Sequence, residues 1–187
     1  MKKTRLISFE GIDGSGKSTQ IELLKKWFSK QGIEFIVVRD PGGTYVSEKV
    51  RNILLDRKNL SLCTQAETFL FLAARSQLVS EIIAPALNAG KFVICDRFID
   101  STIAYQGYGR GLDIAVLKKI NKMAINEYRV GKTFFVDIPV EISLDRRSSS
   151  INDRMESMGI EFLNKVRQGY KTIYESDFER IVFINGM

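Results

Sequence analysis

The sequence predicts an open α/β domain in which a five-stranded parallel sheet carries helices on both faces. Three observations favour this fold class: strand-like and helix-like segments alternate, the strand-like segments are short continuous apolar runs, and no internal repeat or Gly/Ser linker divides the chain. Continuous apolar runs are typical of strands that are buried on both faces of a parallel sheet. We therefore expect the 187 residues, of which 44% are hydrophobic, to form one domain spanning positions 1–187.

Five segments have the pattern of buried strands, and they are Leu6–Glu10, Phe35–Val38, Phe92–Cys95, Thr133–Asp137 and Ile181–Ile184. Helical periodicity fills the intervals and predicts helices at Thr19–Gln31, Val46–Leu55, a long segment capped by Thr64 and ending near Asn88, a segment capped by Asp113 and ending near Glu127, Val140–Arg147 and Ile160–Tyr174. Gly32 and Gly90 follow two of these helices, and Pro85 predicts an interruption of the long one.

Composition limits the classes of partner. The net charge is +6, but no basic run exceeds three residues and no aromatic RNA-binding motif is present, so anionic nucleotides explain the arginines without a nucleic-acid partner. No apolar run approaches the ~20 residues of a membrane span, and the one behind the basic N-terminus is too short for a targeting signal. Because Cys63 and Cys95 form neither a disulfide framework nor a metal site, we expect a reduced, cytoplasmic protein.

The strongest motif is a complete phosphate-binding P-loop, Gly11-Ile12-Asp13-Gly14-Ser15-Gly16-Lys17-Ser18. It follows the first predicted strand and precedes the first predicted helix, which is the context that such a loop requires. The glycines allow backbone N–H groups to approach phosphate oxygens, Lys17 neutralises phosphate charge, and the Ser18 hydroxyl can bind Mg²⁺. The motif predicts an ATP-binding site formed by Gly11, Ile12, Asp13, Gly14, Ser15, Gly16, Lys17, Ser18 and Thr19.

Polar residues follow other predicted strands, and in an open α/β sheet these strand ends meet at one edge. Asp96 ends an apolar strand, which is the Walker B arrangement near Mg²⁺, although a turn or N-cap aspartate would look the same. Arg97 beside it suits bidentate contact with phosphate. The turn Arg39-Asp40-Pro41-Gly42-Gly43-Thr44 carries a charge that a bare turn does not need.

Two further segments allow both a core and a binding interpretation. The helical stripe Phe69–Arg75 is apolar at core spacing, and the segment Ser101–Gly111 mixes aromatic, small polar and glycine residues. Polar groups of the second segment could bind a base edge. The absence of histidine weakly favours a phosphate acceptor, since a phosphomonoester is already mostly dianionic near pH 7.

These motifs, in this order and at this spacing, resemble the thymidylate kinase family. The segments that carry the resemblance are Phe9–Gln20, Arg39–Thr44, Phe71–Arg75, Asp96-Arg97-Phe98 and Ser101–Gly111. The resemblance covers nearly the whole chain. It implies the nucleoside monophosphate kinase form of the P-loop NTPase fold, ATP- and Mg²⁺-dependent phosphorylation of dTMP to dTDP, and a homodimer. Apolar faces of Val46–Leu55 and of the helix from Thr64 could form the dimer interface or could pack internally.

The resemblance also implies roles for individual residues. Phe71 would stack on thymine and Arg75 would contact a base oxygen, while Arg39 and Arg97 would hold the acceptor phosphate. Tyr105 would pack beside the deoxyribose, and Asp13 would contact the acceptor sugar or the metal. The implied dTMP-binding residues are Asp13, Arg39, Phe71, Arg75, Arg97, Ser101, Thr102, Tyr105 and Gln106, and the implied metal-binding residues are Ser18, Asp96 and Asp13.

Members of this family differ in the position of the catalytic arginine. One type of thymidylate kinase carries it inside the P-loop, at the position of Gly14, and the other supplies it from a mobile lid. Because residue 14 is glycine, we expect the lid type, with a lid at about 146–158 that contains Arg146, Arg147 and Arg154. The expected catalytic residues are Lys17, Arg97, Arg147 and Arg154. The family usually continues with a helix after the last strand, whereas this sequence ends at Met187.

Two alternatives remain open at this point. Another nucleoside monophosphate or deoxynucleoside kinase would share the fold and the P-loop. A P-loop regulatory ATPase, which belongs to a different functional class, would hydrolyse nucleotide without an acceptor.

Overall fold

The computed structural model describes residues 5–147, 154–155 and 158–187. Within them lies one parallel sheet in the strand order β2-β3-β1-β4-β5. The strands are β1 (Leu6–Glu10), β2 (Phe35–Arg39), β3 (Phe92–Asp96), β4 (Lys132–Asp137) and β5 (Ile181–Asn185). The predicted parallel five-stranded sheet is therefore confirmed, and each strand boundary agrees with its prediction to within one residue.

The helices connect these strands. In chain order they are α1 (Lys17–Lys30), α2 (Tyr45–Leu55), α3 (Thr64–Leu78), α4 (Ala84–Asn88), α5 (Ile99–Thr102), α6 (Ile114–Ile125), α7 (Val140–Arg146) and α8 (Ile160–Ser176). A π-helical segment, Val79–Ile83, joins α3 to α4, and another, Ile103–Gly109, continues α5.

Helices pack on both faces of the sheet. Alternate residues of β1 point to opposite faces: Leu6 belongs to a cluster with Ile83, and Phe9 belongs to a cluster with Ile21 and Phe28 of α1. All five of these side chains are at most 4% exposed. The sheet is thus buried on both sides, which explains why its strands are continuous apolar runs.

Helix starts follow local capping, and one predicted cap is wrong. Asp113 is an N-cap as predicted, because its Oδ1 accepts hydrogen bonds from the backbone of Ala115 at 2.7 Å and Val116 at 3.0 Å. Thr64 is instead the first residue of α3, and Cys63 occupies the N-cap position without a side-chain cap. The predicted interruption near Pro85 is the π-helical segment before it, and the helical path continues to Asn88.

The sequence did not predict the helical segment from Ile99 to Gly109, because its glycines have low helix propensity. The structure explains them by close packing. A Cβ on Gly107 would collide with Ile114, and a Cβ on Gly109 would lie 2.7 Å from the ring of Phe162. Tertiary contacts with α6 and α8 therefore outweigh local propensity here.

The strand ends converge as the fold class requires. In the sheet register Phe9 and Arg39 both lie opposite Asp96, so the carboxyl ends of β1, β2 and β3 are neighbours. Ligands of open α/β sheets bind at this edge.

The helical stretch Thr64–Asn88 is long and apolar enough, by length and composition alone, to cross a membrane. Core helices of globular proteins pass the same test. In this fold the stretch carries the fully buried Leu78 and Ile83 and packs against the sheet.

Candidate active site

The P-loop joins β1 to α1 and lies at the carboxyl edge of the sheet. Lys17, the first residue of α1, turns back over the loop and donates hydrogen bonds from Nζ to the carbonyl oxygens of Gly11 (3.1 Å) and Ile12 (3.0 Å). Burial, together with the nearby charge of Arg97, lowers the pKa of Lys17 to about 8. Anionic phosphate would favour its charged form, so nucleotide binding and protonation of Lys17 are coupled.

A cavity lies above this loop, and we call it the P-loop cavity. Six of the nine predicted ATP-binding residues line it, namely Asp13, Gly14, Gly16, Lys17, Ser18 and Thr19. The other three, Gly11, Ile12 and Ser15, are buried and do not line it. Asp96, Arg97 and Arg146 also line the P-loop cavity.

Arg97 directly follows β3 and connects the end of that strand to the P-loop. Its Nη2 donates a hydrogen bond to Asp13 Oδ1 at 2.6 Å, and its Nη1 donates to Tyr170 Oη at 3.2 Å. Although burial opposes ionisation, Arg97 and Lys17 hold the pKa of Asp13 well below its usual range. The backbone of Arg97 is left-handed, with a φ of 66°, which is strained for a residue other than glycine. Such strain is typical of functional sites.

The predicted metal-binding residues differ in their surroundings. Ser18, Asp96 and Asp13 all line the P-loop cavity. The Asp13 carboxylate differs from the other two groups because it forms an ion pair with Arg97. Among the described residues there is no cluster of three or more His, Cys, Asp or Glu side chains that could hold a metal alone. One carboxylate and one hydroxyl nevertheless fit Mg²⁺, which ordinarily takes few protein ligands together with water and substrate phosphates.

A second cavity adjoins the first, and we call it the Phe71 cavity. It is lined by eight of the nine predicted dTMP-binding residues, namely Asp13, Phe71, Arg75, Arg97, Ser101, Thr102, Tyr105 and Gln106. Asp13, Asp40, Arg51 and Arg97 line both cavities. The two cavities are therefore neighbours that share a charged boundary.

Arg75 lies at the base of the Phe71 cavity and is 2% exposed. Its Nε donates to Asp40 Oδ2 at 2.6 Å, its Nη1 donates to Thr102 Oγ1 at 2.8 Å and to Asn121 Oδ1, and its Nη2 donates to the Phe98 carbonyl at 3.1 Å. A guanidinium has about five N–H donors. Contacts with described residues occupy four, so one Nη2 donor remains for a ligand oxygen.

Aromatic rings form the walls of the same cavity. Phe71 is half-buried, one helical turn before Arg75, so its ring lies at the surface of the cavity rather than in the core. The Tyr105 ring is buried, and the Arg97 guanidinium lies 5.2 Å from its centroid. The arrangement offers a flat apolar surface beside hydrogen-bond donors, which suits a nucleobase.

Arg39 lies apart from the other predicted dTMP-binding residues. It lines the P-loop cavity but not the Phe71 cavity, is exposed, and pairs with Glu48 at 3.1 Å. Arg51 on α2 was missed by sequence reasoning, although it lines both cavities and donates a hydrogen bond to the Pro41 carbonyl at 2.9 Å. No motif surrounds Arg51, and only its place on the amphipathic helix α2 could have indicated it.

The predicted lid includes residues 148–153 and 156–157, which lie outside the described residues, so its expected mobility stays a prediction. Of its arginines, Arg146 lines the P-loop cavity and donates hydrogen bonds to the Gly14 carbonyl at 3.3 Å and the Gly186 carbonyl at 3.1 Å. Arg147 is buried, with Nε donating to the Ser143 carbonyl at 3.2 Å. Arg154 is buried in an ion pair with Glu67.

In this conformation neither Arg147 nor Arg154 lines the P-loop cavity, so their expected role at the transferred phosphate stays a prediction. The physical reason is local: each is held by buried acceptors of the fold. Position 14 is itself crowded, since a Cβ there would lie 3.0 Å from the Ser143 carbonyl oxygen and 3.3 Å from Arg147 Cγ. Arg146 is the lid arginine whose position fits the predicted chemistry.

Glu10 and Tyr170 were also missed by sequence reasoning. Glu10 is fully buried at the end of β1 and accepts hydrogen bonds from the Phe98 backbone (2.8 Å), Ser101 Oγ (2.6 Å) and Tyr170 Oη (3.1 Å). Burial raises the pKa of Glu10 to about 7. These contacts fix the segment that carries Arg97 and Ser101.

Comparison with known proteins agrees with this geometry. The family model described as thymidylate kinase matches residues 9–186. A curated thymidylate kinase of Caldanaerobacter subterraneus is 46% identical over 183 residues, which are 98% of this chain and 88% of that protein. One of Kosmotoga olearia is 42% identical over 181 residues, which are 96% of this chain and 86% of that protein.

A solved structure is similar as well. The crystal structure of thymidylate kinase from Ehrlichia chaffeensis superposes with a TM-score of 0.79 at 38% sequence identity, and the match covers 96% of this chain and 86% of that one. Sequence and structure thus agree over nearly the whole length, and the chain belongs to the thymidylate kinase family.

Proposed function

We propose that this protein transfers the γ-phosphoryl group of ATP to dTMP and forms dTDP. The observation that carries the proposal is the shared boundary of the two cavities, where Asp13 and Arg97 separate a complete P-loop from the Phe71 cavity. A donor phosphate above the P-loop and an acceptor phosphate at Arg97 would lie on either side of this boundary. Such proximity is what direct phosphoryl transfer requires.

On the donor side, Lys17 neutralises charge that develops on the β- and γ-phosphates. Mg²⁺, held by Ser18 and Asp96, would neutralise further phosphate charge and orient the transferred group. Arg146 supplies a cation from the C-terminal end of α7. Arg147 and Arg154 stay candidates for this role only if the lid takes another conformation.

On the acceptor side, Arg97 holds the dTMP phosphate, with Arg39 and Arg51 at the rim of the same space. Phe71 stacks on thymine and the remaining Nη2 donor of Arg75 contacts a base oxygen. The chain contains no histidine, and the reaction needs no strong base because the attacking phosphate oxygen already carries charge near pH 7. Positioning and electrostatic stabilisation therefore supply the catalysis.

An acceptor panel tests the proposal. Purified protein is incubated with ATP and Mg²⁺ and with dTMP, dUMP, thymidine or AMP, and the products are separated by chromatography. We expect dTDP to form fastest. Preference for AMP or thymidine would favour another kinase of the same fold, and hydrolysis that no acceptor stimulates would favour the regulatory ATPase.

We also propose a homodimer that uses α2 and α3. Their outer surface exposes Val46, Ile53 and Phe69, with 44%, 45% and 63% of each side chain accessible. Large apolar side chains exposed on two helices that pack together are candidates for a protein interface. Sedimentation equilibrium tests the proposal: we expect a dimer, and Phe69→Asp should shift the mass towards the monomer.

We further propose a cytoplasmic location. Its support is that the two cysteines are both free, with Cys63 exposed and Cys95 buried. An exposed thiol is compatible with a reducing compartment. Cell fractionation tests the assignment.

A further inference from the structure

Glu67 is a buried carboxylate that lies next to the Phe71 cavity without lining it. It is on α3, four residues before Phe71 and eight before Arg75, so all three lie on one face of the helix. Its side chain is 0% exposed. A buried charge must have partners, and those of Glu67 come from other parts of the chain.

The partners are three side chains. Glu67 Oε1 accepts from Gln106 Nε2 at 3.0 Å and from Arg110 Nε at 3.3 Å, and Oε2 pairs with Arg110 Nη2 at 2.7 Å and with Arg154 Nη1 at 2.7 Å. Despite its burial, these hydrogen bonds and charges lower the pKa of Glu67. The group is therefore an ionised carboxylate, which accepts hydrogen bonds and donates none.

This acceptor-only character fixes the orientation of Gln106. A glutamine amide has one donor end and one acceptor end. Because Nε2 donates to Glu67, the amide cannot flip without placing Oε1 against the carboxylate, so Oε1 is the acceptor that Gln106, which lines the Phe71 cavity, offers to a ligand. An acceptor matches the N3–H of thymine and does not match N3 of cytosine, which has no hydrogen.

Arg154 connects Glu67 to another wall of the cavity. Besides the ion pair, Arg154 Nε donates to the Leu54 carbonyl at 2.7 Å, and its backbone N–H donates to the Leu55 carbonyl at 3.2 Å, both at the end of α2. The next residue, Met155, is buried and lines the Phe71 cavity beside Leu55. The ion pair thus holds Met155 in place.

We propose that Glu67 is a positioning residue that sets base selection: it orients the Gln106 amide towards a base N–H donor and, through Arg154, holds Met155 in the cavity wall. The inference rests on the proposed function, since it takes the Phe71 cavity as the site of the acceptor base. Glu67 itself does not touch the base. Its effect therefore has two separable parts, amide orientation and wall position.

The test compares dTMP with 5-methyl-dCMP, which differ only at the N3 and C4 positions of the base. In Glu67→Gln the partner of Gln106 can donate as well as accept, so the Gln106 amide can rotate. We expect the ratio of kcat/KM for dTMP to that for 5-methyl-dCMP to fall about fivefold or more, as for the loss of one oriented hydrogen bond. Arg154→Met keeps the Glu67–Gln106 bond, so the ratio should be unchanged while KM for dTMP rises.

The matched control is Arg180→Met, which breaks a partly buried ion pair with Asp100 (2.7 Å) at a residue that lines neither cavity. It should lower Tm and leave the ratio within about twofold of wild type. If Glu67→Gln does not fold, Glu67→Gln/Arg154→Met also removes one of the two arginines that pair with Glu67, and it carries the same test.

The outcomes are distinct. A wild-type ratio in a folded Glu67→Gln protein, or a change in kcat for dTMP without a change in KM in Arg154→Met, overturns the proposal while dTMP phosphorylation stands. Absence of wild-type activity with dTMP overturns the proposed function and this inference together.

Discussion

Replacement of Arg75 tests how the floor of the Phe71 cavity is built. Arg75→Met keeps the length of the side chain but removes the guanidinium, which leaves Asp40 as a fully buried carboxylate without its 2.6 Å partner. Removing one member of a buried ion pair typically costs about 3–5 kcal/mol of unfolding free energy. In a protein of this size each kcal/mol lowers Tm by roughly 2–4 °C, so Tm should fall by about 6–20 °C.

The assay is thermal unfolding followed by circular dichroism, combined with steady-state kinetics below the transition. Arg75→Met should also raise KM for dTMP more than KM for ATP, because the Nη2 donor to the base is lost. Lys25→Met is the control, since Lys25 pairs with Glu22 in an exposed i,i+3 contact and should change Tm by less than about 2 °C. Asp40→Asn combined with Arg75→Met should recover part of the lost stability. A fall in Tm below about 3 °C for Arg75→Met alone would refute the reasoning.

Three further predictions concern the bound substrates. Because burial lowers the pKa of Lys17 to about 8, the free enzyme loses this cation as the pH rises through 8. Initial rates measured against pH should therefore show that KM for ATP rises above pH 8 in wild type and stays constant in Lys17→Arg. A KM for ATP that does not change with pH in wild type would contradict this prediction. Phe71→Ala should raise KM for dTMP about tenfold or more with little change in KM for ATP, because stacking is lost; a lower Tm with both KM values intact would instead place Phe71 in the core. Arg146→Ala should lower the single-turnover rate at least about tenfold with little change in dTMP affinity. An unchanged rate would mean that Arg146 does not stabilise the transferred phosphoryl group, and Arg147 would then be the candidate for that role.

Much of the fold could be predicted because the signals are local. Continuous apolar runs identified the five strands, and the P-loop indicated the end of β1 and, to within two residues, the start of α1, predicted at Thr19 and observed at Lys17. The helix at Ile99–Gly109 could not be predicted, since Gly107 and Gly109 are there for close packing against Ile114 and Phe162 rather than for chain flexibility.

The residues of the candidate site likewise include some that local sequence predicts and some that only tertiary contacts reveal. Residues within contiguous motifs, such as Lys17 and Arg97, were found because phosphate chemistry requires them at a given spacing. Glu67 and Arg51 act through partners that are distant in sequence, so no motif contains them. The sequence could not rank the lid arginines, because arginine count alone does not show which guanidinium is held by buried acceptors, as Arg154 is by Glu67.

The measurement that tests the central claim most directly is ADP release from ATP and Mg²⁺ with and without dTMP, on wild type and on Lys17→Ala. If the two cavities form one site for phosphoryl transfer, dTMP should stimulate wild-type ADP release strongly, and Lys17→Ala should lower the stimulated rate by about two orders of magnitude while remaining folded. ADP release that dTMP does not stimulate, or a stimulated rate that Lys17→Ala leaves unchanged, would contradict the account.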